Sequence, residues 1–268
     1  SANPITYEQA VPVFIDSDRI GWNMDPNLLE EELVDCAARG KLPKAVIVVD
    51  ILGQSADLER IVEIASRYEI PVIEDAAEAL GGCYQGRSVG KAGWCSIFSF
   101  NGNKIITGGG GGCIITDDKA LAKKAKHLTT TAKVPHKWEY THDMIGYNYR
   151  MPNLNAALLT SQLENLKSFL SSKRNIAMAY KEFFKDKPYV FVEEPVDSQS
   201  NYWLNALLFS DQVQRDSFLK YTNDRGILTR PMWTPMHTLP MYRKCLRCDL
   251  STAENIEKRL VNVPSSVI

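Results

Sequence analysis

Apolar and polar positions follow two different rhythms along this chain. Ala45-Val46-Ile47-Val48-Val49-Asp50 is an almost unbroken β-branched run, the pattern of a strand covered on both faces in a parallel sheet. From Asp57 to Tyr68, Leu58, Ile61, Val62, Ile64 and Ala65 instead recur at helical spacing and form one stripe. The apolar run Ile70-Pro71-Val72-Ile73 comes next, so strand, helix and strand predict a βαβ unit that delivers Asp75 at the end of its second strand. Upstream, Val11 to Asp16 reads as a strand and Pro26 through Ala38 as a helix, with Asp25 as N-cap, Pro26 at the first helical position and Gly40 as the stop. Downstream, Cys95 to Phe100 and Gly112 to Thr116 read as strands, and Lys119 to His127 as a short basic helix.

Past this point the texture changes. Leu154 to Phe184 reads as one long helical stretch, and beyond Lys187 short strands and turns take over, with Asn201 to Phe209 the clearest strand. The expectation is an α/β chain in two parts. Residues 1–164 form a large domain on a mostly parallel sheet, and residues 165–268 a smaller α+β domain. Open sheets of this kind bind ligands at the carboxyl ends of their strands. Asp75 sits at one such end and Lys104 just past another. An acid there can keep a pyridine nitrogen protonated, and a lysine nearby can form a Schiff base with an aldehyde. Those are the two main requirements of pyridoxal phosphate chemistry. Solvated loop residues or helix caps have the same spacing, so the surroundings of the pair must decide.

With 268 residues and 44% apolar composition the chain can bury a large core. A formal charge of -1 and a pI near 6.4 exclude a broad basic field for nucleic acid or anionic lipid, so any phosphate site must be local. No apolar run approaches bilayer length, and Ser1 to Pro4 show neither a basic nor an apolar leader pattern. The expectation is a soluble, cytoplasmic protein with no membrane or nucleic-acid partner. Of the cysteines at 36, 83, 95, 113, 245 and 248, only Cys245-Leu246-Arg247-Cys248 has a ligand-like spacing. It lacks a second pair, and His237 is the only histidine near it, so a reduced pair in a loop is the better reading and no metal is expected.

Gly108 to Gly112 invites a nucleotide-loop reading. No G-x-G-x-x-G register fits, no Gly-Lys-Ser/Thr follows, and the run precedes a strand, so a tight bend explains it better. Tyr147-Asn148-Tyr149-Arg150 suits helix capping and packing, and its amide and guanidinium also suit a phosphate. Arg230 to His237, with Trp233 at its centre, reads equally as packing and as a wall against a sugar or nucleotide. His136 and His142, in a loop with Lys133 and Trp138, fit a plain surface loop or substrate contacts over the crevice.

Three strings carry a resemblance: Glu74-Asp75-Ala76-Ala77-Glu78-Ala79-Leu80-Gly81, Ser99-Phe100 with Lys104, and Gly146-Tyr147-Asn148-Tyr149-Arg150-Met151. Together they are similar to DegT/StrS-type sugar aminotransferases, pyridoxal phosphate enzymes of fold type I. More narrowly, Asn101 to Thr107, Leu128 to His136 and Asn262 to Ser266 resemble the branch that aminates nucleotide-linked 4-keto-6-deoxy sugars on the route to legionaminic acid.

The resemblance implies that Lys104 binds the cofactor covalently and, when released, shuttles a proton between cofactor and substrate carbon. It implies that Asp75 pairs with the pyridine nitrogen, that Glu78 lies near the ring and that Ser99 reaches the phosphate. Asn148 matches an asparagine that reaches the phosphate in a neighbouring subunit, which implies a homodimer with shared active sites. Substrate contacts are expected among Lys133, His136, Trp138, Arg150, Arg230, Trp233 and His237, with L-glutamate as amino donor. Dehydrating relatives have histidine at the lysine position, so Lys104 argues for transamination. Relatives begin with about a hundred further residues, in keeping with a complete large domain. The chain is therefore expected to be N-terminally incomplete, and a non-catalytic, dimerising or ligand-binding homologue is the alternative. Gly108 replaces a usual threonine, which is expected to loosen that turn. The nucleotide, UDP or GDP, and the stereochemistry at C4 are not legible.

Overall fold

The computed structural model describes residues 1–267, and the β-branched run after Lys44 pairs in it as the first strand of the main sheet. In chain order the elements are α1 (Ala2–Tyr7), β1 (Val13–Phe14), α2 (Pro26–Ala38), β2 (Val46–Val49), α3 (Leu58–Ser66), β3 (Val72–Asp75), β4 (Cys83–Tyr84), β5 (Arg87–Ser88), β6 (Cys95–Ser99) and β7 (Gly112–Ile115). They continue as α4 (Lys119–Thr129), α5 (Asn153–Glu164), α6 (Leu166–Phe184), β8 (Val190–Phe191), β9 (Ser198–Gln199), β10 (Asn205–Leu208), α7 (Gln212–Asn223), β11 (Arg230–Pro231), β12 (Leu246–Arg247), α8 (Ser251–Glu257) and β13 (Leu260–Val263).

The main sheet runs β2-β3-β6-β7, parallel through β6 and closed by antiparallel β7. Its register sets Val49 opposite Asp75, Asp75 opposite Ile97, and Ser99 opposite Gly112. One edge of the sheet therefore gathers the residues that follow each parallel strand. Leu29 and Leu33 of α2 and Ile61 and Ile64 of α3 pack on Val46, Val48 and Val72. Burying such a side chain fully is worth about 1.5–3 kcal/mol each. Asp25 caps α2 by accepting from the Asn27 N–H, and Asp57 caps α3 from the Arg60 N–H. These helices form where the stripe and caps predict them.

A second, antiparallel sheet has the order β11-β13-β10-β8. Alternation along its strands splits it between two clusters: Leu207, Val261 and Val263 pack with Phe191, Tyr202 and Phe209, while Ala206 and Leu260 pack with Trp22 and Leu52. The latter cluster joins this sheet to the loop after β2. The two halves of the chain also meet where β1 pairs parallel with β12, and where the Asp16 carboxylate accepts from the Thr252 and Ala253 N–H groups at the start of α8.

Three expectations need correction. The long helix breaks at Asn165, whose side chain donates to the Ser161 carbonyl and whose N–H turns to Gln162, so two helices share the apolar faces around Leu159, Leu166 and Phe169. Only Val13–Phe14 and Asn205–Leu208 pair as strands from the two longer runs predicted. The Gly108 turn is tight, not loose. Its N–H donates to Phe100 O at 3.0 Å, Asn155 donates to its carbonyl, and a Cβ there would meet the Gly110 and Asn155 carbonyl oxygens at 3.1 and 3.2 Å. The rest of the glycine run bends the chain back as β7, with Gly111 at φ +95° and a Cβ on Gly112 blocked by Phe98 O at 2.6 Å. Among the described residues no helix is long and apolar enough to cross a membrane.

Lys173 of α6 is buried with its ammonium on two carbonyls, those of Trp203 and Ser265. Burial pushes the amine down to about 8 from 10.5. Below pH 8 the native and unfolded chains both carry the proton, and folding bears the full desolvation cost. Between there and 10.5 the unfolded chain holds more protons, so this group's contribution to stability improves as pH rises. Thermal unfolding of wild type and Lys173→Met from pH 7 to 10 is predicted to show the difference moving in favour of wild type above pH 8. A pH-independent difference would refute it.

Candidate active site

Three chain segments meet at the carboxyl edge of the main sheet. Asp75 ends β3, with Oδ1 accepting from the Ala77 N–H at 3.3 Å and Oδ2 from the Ser1 hydroxyl. Ser99 ends β6, and its Oγ accepts from the Asn101 N–H at 3.3 Å, with its hydroxyl proton given to no acceptor among the described residues. The next turn is closed by the Lys104 N–H donating to Asn101 O at 3.1 Å. Ile105 and Ile106 are buried immediately after it and anchor the turn in the core. Lys104 is thus presented from a short loop nailed down on both sides.

Its side chain, 14% exposed, runs into a slot with one aromatic and one acidic wall. Nζ lies 4.2 Å from the centroid of the Trp203 ring and 3.7 Å from Glu78 Oε1. A cation over a shielded indole gains about 2 kcal/mol. Trp203 is 5% exposed, its Nε1–H donates to Asn103 O at 2.7 Å, and Trp233 stacks on it at 6.0 Å. Glu78 is held by the Leu52 N–H, which donates to Oε2 at 2.8 Å. Leu52 adopts φ +58°, a left-handed conformation costing about 1–3 kcal/mol in a non-glycine residue. Burial raises the Glu78 carboxyl above its usual range, opposed by that N–H bond and by the Lys104 charge.

Behind this edge lie two fully buried carboxyl groups, Asp50 and Glu74. Glu74 accepts from the Gly90 N–H and the Ser96 hydroxyl, whereas Asp50 accepts only from Ala56 N–H and leaves Oδ2 without a hydrogen-bond partner among the described residues. Burial first, and then the Glu74 charge, push the Asp50 carboxyl well above its usual range. A protonated Asp50 removes one negative charge from beside Asp75, to whose carbonyl its N–H donates at 3.1 Å.

The remaining expected contacts are dispersed. Trp233 reaches the slot through Trp203, and Arg230, exposed on β11, lies opposite Asn262 of β13. Lys133, His136 and Trp138 interact within their own loop: Lys133 Nζ sits 3.5 Å over the Tyr140 ring, and the His136 and Trp138 rings meet edge to face at 4.9 Å. Asn148 bridges to Thr130 and Arg150 is exposed, beside the stacked Tyr147 and Tyr149. His237 is the correction. It is 6% exposed and its Nε2 lies 2.9 Å from Glu254 of α8, so its ring is committed to packing and not open to a substrate.

The model of the DegT/DnrJ/EryC1/StrS aminotransferase family matches residues 1–267. The chain belongs to that family. EpsN of Bacillus subtilis, named provisionally as a pyridoxal phosphate-dependent aminotransferase, is 41% identical over 99% of this chain and 69% of its own length. GDP-perosamine synthase of Escherichia coli O157:H7 is 38% identical over 99% and 70%. The crystal structure of a DegT/DnrJ/EryC1/StrS aminotransferase from Brucella abortus superposes with a TM-score of 0.92 at 28% identity, covering 99% of this chain and 71% of that one. The fold is that of the fold type I pyridoxal phosphate enzymes.

The strand edge of this DegT-family aminotransferase fits its cofactor, pyridoxal phosphate. Asp75 Oδ2 takes an O–H donor from Ser1, so it has acceptor capacity that a ring N–H would need. Ser99 has a hydroxyl proton to give to a phosphate oxygen, and Lys104 offers an amine shielded from bulk water. Sequence reasoning missed Trp203 and Leu52. Trp203 lay inside an apparent strand, and nothing local marks Leu52 as the donor to Glu78.

Asp50→Asn keeps the bond from Ala56 N–H and gives Glu74 a permanent donor. A carboxyl raised by folding takes up a proton as the chain folds, so its cost grows as pH climbs above the unfolded value of 3.8. The variant's stability relative to wild type is predicted to increase between pH 4.5 and 7.5 in thermal unfolding. A constant difference would show that Asp50 is charged in the native state.

Proposed function

We propose that this aminotransferase moves an amino group from L-glutamate to C4 of a nucleotide-linked 4-keto-6-deoxy sugar. It does so as a homodimer with shared active sites, in surface polysaccharide or nonulosonic acid biosynthesis of the legionaminic acid kind. The observation that carries the reading is the Lys104 amine in its slot, 4.2 Å from the Trp203 ring and 3.7 Å from Glu78, on the sheet edge that also holds Asp75 and Ser99. The name of the perosamine synthase relative supports a nucleotide-sugar acceptor. In this reading residues 1–164 form the large domain that carries the cofactor edge, and residues 165–268 a smaller domain packed against it.

Bound there, pyridoxal phosphate supplies an electron sink and carries the amino group between donor and acceptor. Asp75 holds the ring N–H and balances its charge, and Ser99 donates to the phosphate. The Lys104 amine takes the proton from the α-carbon of the donor and later delivers one to C4 of the sugar. Glu78 and Trp203 keep that amine in place and water away from it. The donor's C–NH2 becomes a carbonyl as the sugar carbonyl becomes C–NH2, so no outside oxidant or reductant is needed. Asn148, on the exposed face with Tyr147 and Tyr149, reaches the phosphate in the neighbouring subunit. Arg150 and Arg230 are the guanidinium groups available to a diphosphate, with Lys133, His136, Trp138 and Trp233 as further substrate contacts.

Incubation with pyridoxal phosphate, L-glutamate and UDP- or GDP-linked 4-keto-6-deoxy sugars is predicted to yield the 4-amino sugar by mass spectrometry from one of the two nucleotides. Borohydride is predicted to fix the cofactor on the peptide containing residue 104. Lys104→Ala abolishes both results, with turnover down at least a thousandfold. Retained cofactor trapping in that variant would sink the assignment of the lysine.

A further inference from the structure

Both walls of the Lys104 slot trace back to one side chain. Asn201 is 1% exposed and every polar atom of its amide is engaged. Nδ2 donates to Glu78 O at 2.7 Å and to Leu80 O at 3.0 Å, while Oδ1 accepts from Trp203 N–H at 2.8 Å. Its own N–H donates to Gly53 O at 3.3 Å, next to the Leu52 N–H that holds the Glu78 carboxylate. The backbone of the acidic wall, the backbone of the aromatic wall and the loop that clamps the carboxylate are therefore bonded to one residue.

The surroundings are shaped to admit this amide. A Cβ on Gly53, which has φ +90°, would stand 1.9 Å from Asn201 Oδ1. Tyr202 adopts φ +48° between Asn201 and Trp203, which turns the chain out of the extended path that its sequence suggests. On the far side, Lys173 Nζ donates to Trp203 O at 3.1 Å. Trp203 is thus held at its amide, its carbonyl and its indole nitrogen, and Asn201 supplies the hold that also reaches Glu78.

We propose that Asn201 is the positioning residue of the lysine site: its one amide fixes the distance between the Glu78 and Trp203 walls, and so the place where the free Lys104 amine rests. Asn201 touches neither substrate nor the amine and acts only through those two walls. The inference rests on the reading of Lys104 as the reacting lysine. Aspartate at this position keeps the acceptor for Trp203 but loses both donors to the Glu78 side. Alanine loses all three bonds and leaves two carbonyls and an N–H unpaired.

Two measurements on Asn201→Ala test it. In the cofactor-free protein, acetylation of Lys104 by acetic anhydride, read by mass spectrometry on its peptide, is expected to run at least fivefold faster than in wild type, because the amine has lost its walls. In the loaded enzyme kcat is expected to fall at least tenfold while KM for the sugar stays within about twofold, since Asn201 itself touches no substrate group and only Trp233 among the substrate contacts leans on a released wall. A folded variant with a lowered Tm but wild-type labelling and kcat overturns the proposal and makes Asn201 a packing residue only. Should Asn201→Ala fail to fold, Gly53→Ala presses on Oδ1 from outside the slot, and unchanged Lys104 labelling there overturns it equally. Lys104→Ala in the turnover assay separates the two failures. If it stays active, the reading of the lysine is wrong; if it is dead and Asn201→Ala is normal, only the positioning role is.

Discussion

An amine that must act as a base and a proton carrier has to be kept out of water without being locked into an ion pair. The Lys104 slot meets that constraint with a ring face at 4.2 Å and a carboxylate at 3.7 Å, close enough to hold the amine and too far for a tight salt bridge. Trp203 is buried and the Glu78 side chain is only 16% exposed, so both interactions are screened less than they would be at the surface. Each wall needs its own support, because a buried indole N–H and a buried carboxylate are costly when left unpaired. The support comes from Asn103, Leu52 and Asn201, which lie in three separate loops.

That requirement explains much of the architecture around it. The sheet register lines up Asp75 and Ser99 at one edge, and the glycine turn brings the chain straight back into the sheet as β7. The strain at Leu52 is accepted where it yields a hydrogen bond to Glu78. The segment leading into the second sheet supplies the tryptophan. Its first residues leave the strand path to form the Asn201 to Trp203 turn, and only Asn205 onward pairs with β13. The two parts of the chain are therefore joined through the site itself as well as through β1 and β12.

Legibility followed the range of the interaction. The helix from Pro26 to Ala38, its Asp25 cap, the βαβ unit ending at Asp75 and the strand before Lys104 were all readable, because stripe, cap and run are local properties. The break at Asn165 was not, since one weak helix former inside a long helical stretch does not by itself mark an end, and α5 and α6 continue to pack on one core across it. His237 was misread for a related reason: proximity to Trp233 in sequence placed it at the substrate, while its ring turns to Glu254 on α8. Trp203 and Asn201 read only as part of a strand. Their roles depend on carbonyls and a lysine about a hundred or more residues away in sequence, contacts that no local pattern encodes.

By itself the sequence determined the secondary elements, the carboxylate and lysine at two strand ends, and through its strings the family. These follow from side-chain periodicity and backbone preference within a dozen residues. Tertiary structure alone decided what surrounds the lysine: which ring faces it, which carboxylate stays beside it, and that one buried amide bonds to the backbone of both. Buried polar groups must find partners wherever the folded chain puts them, and that matching exists only once the sheets have packed.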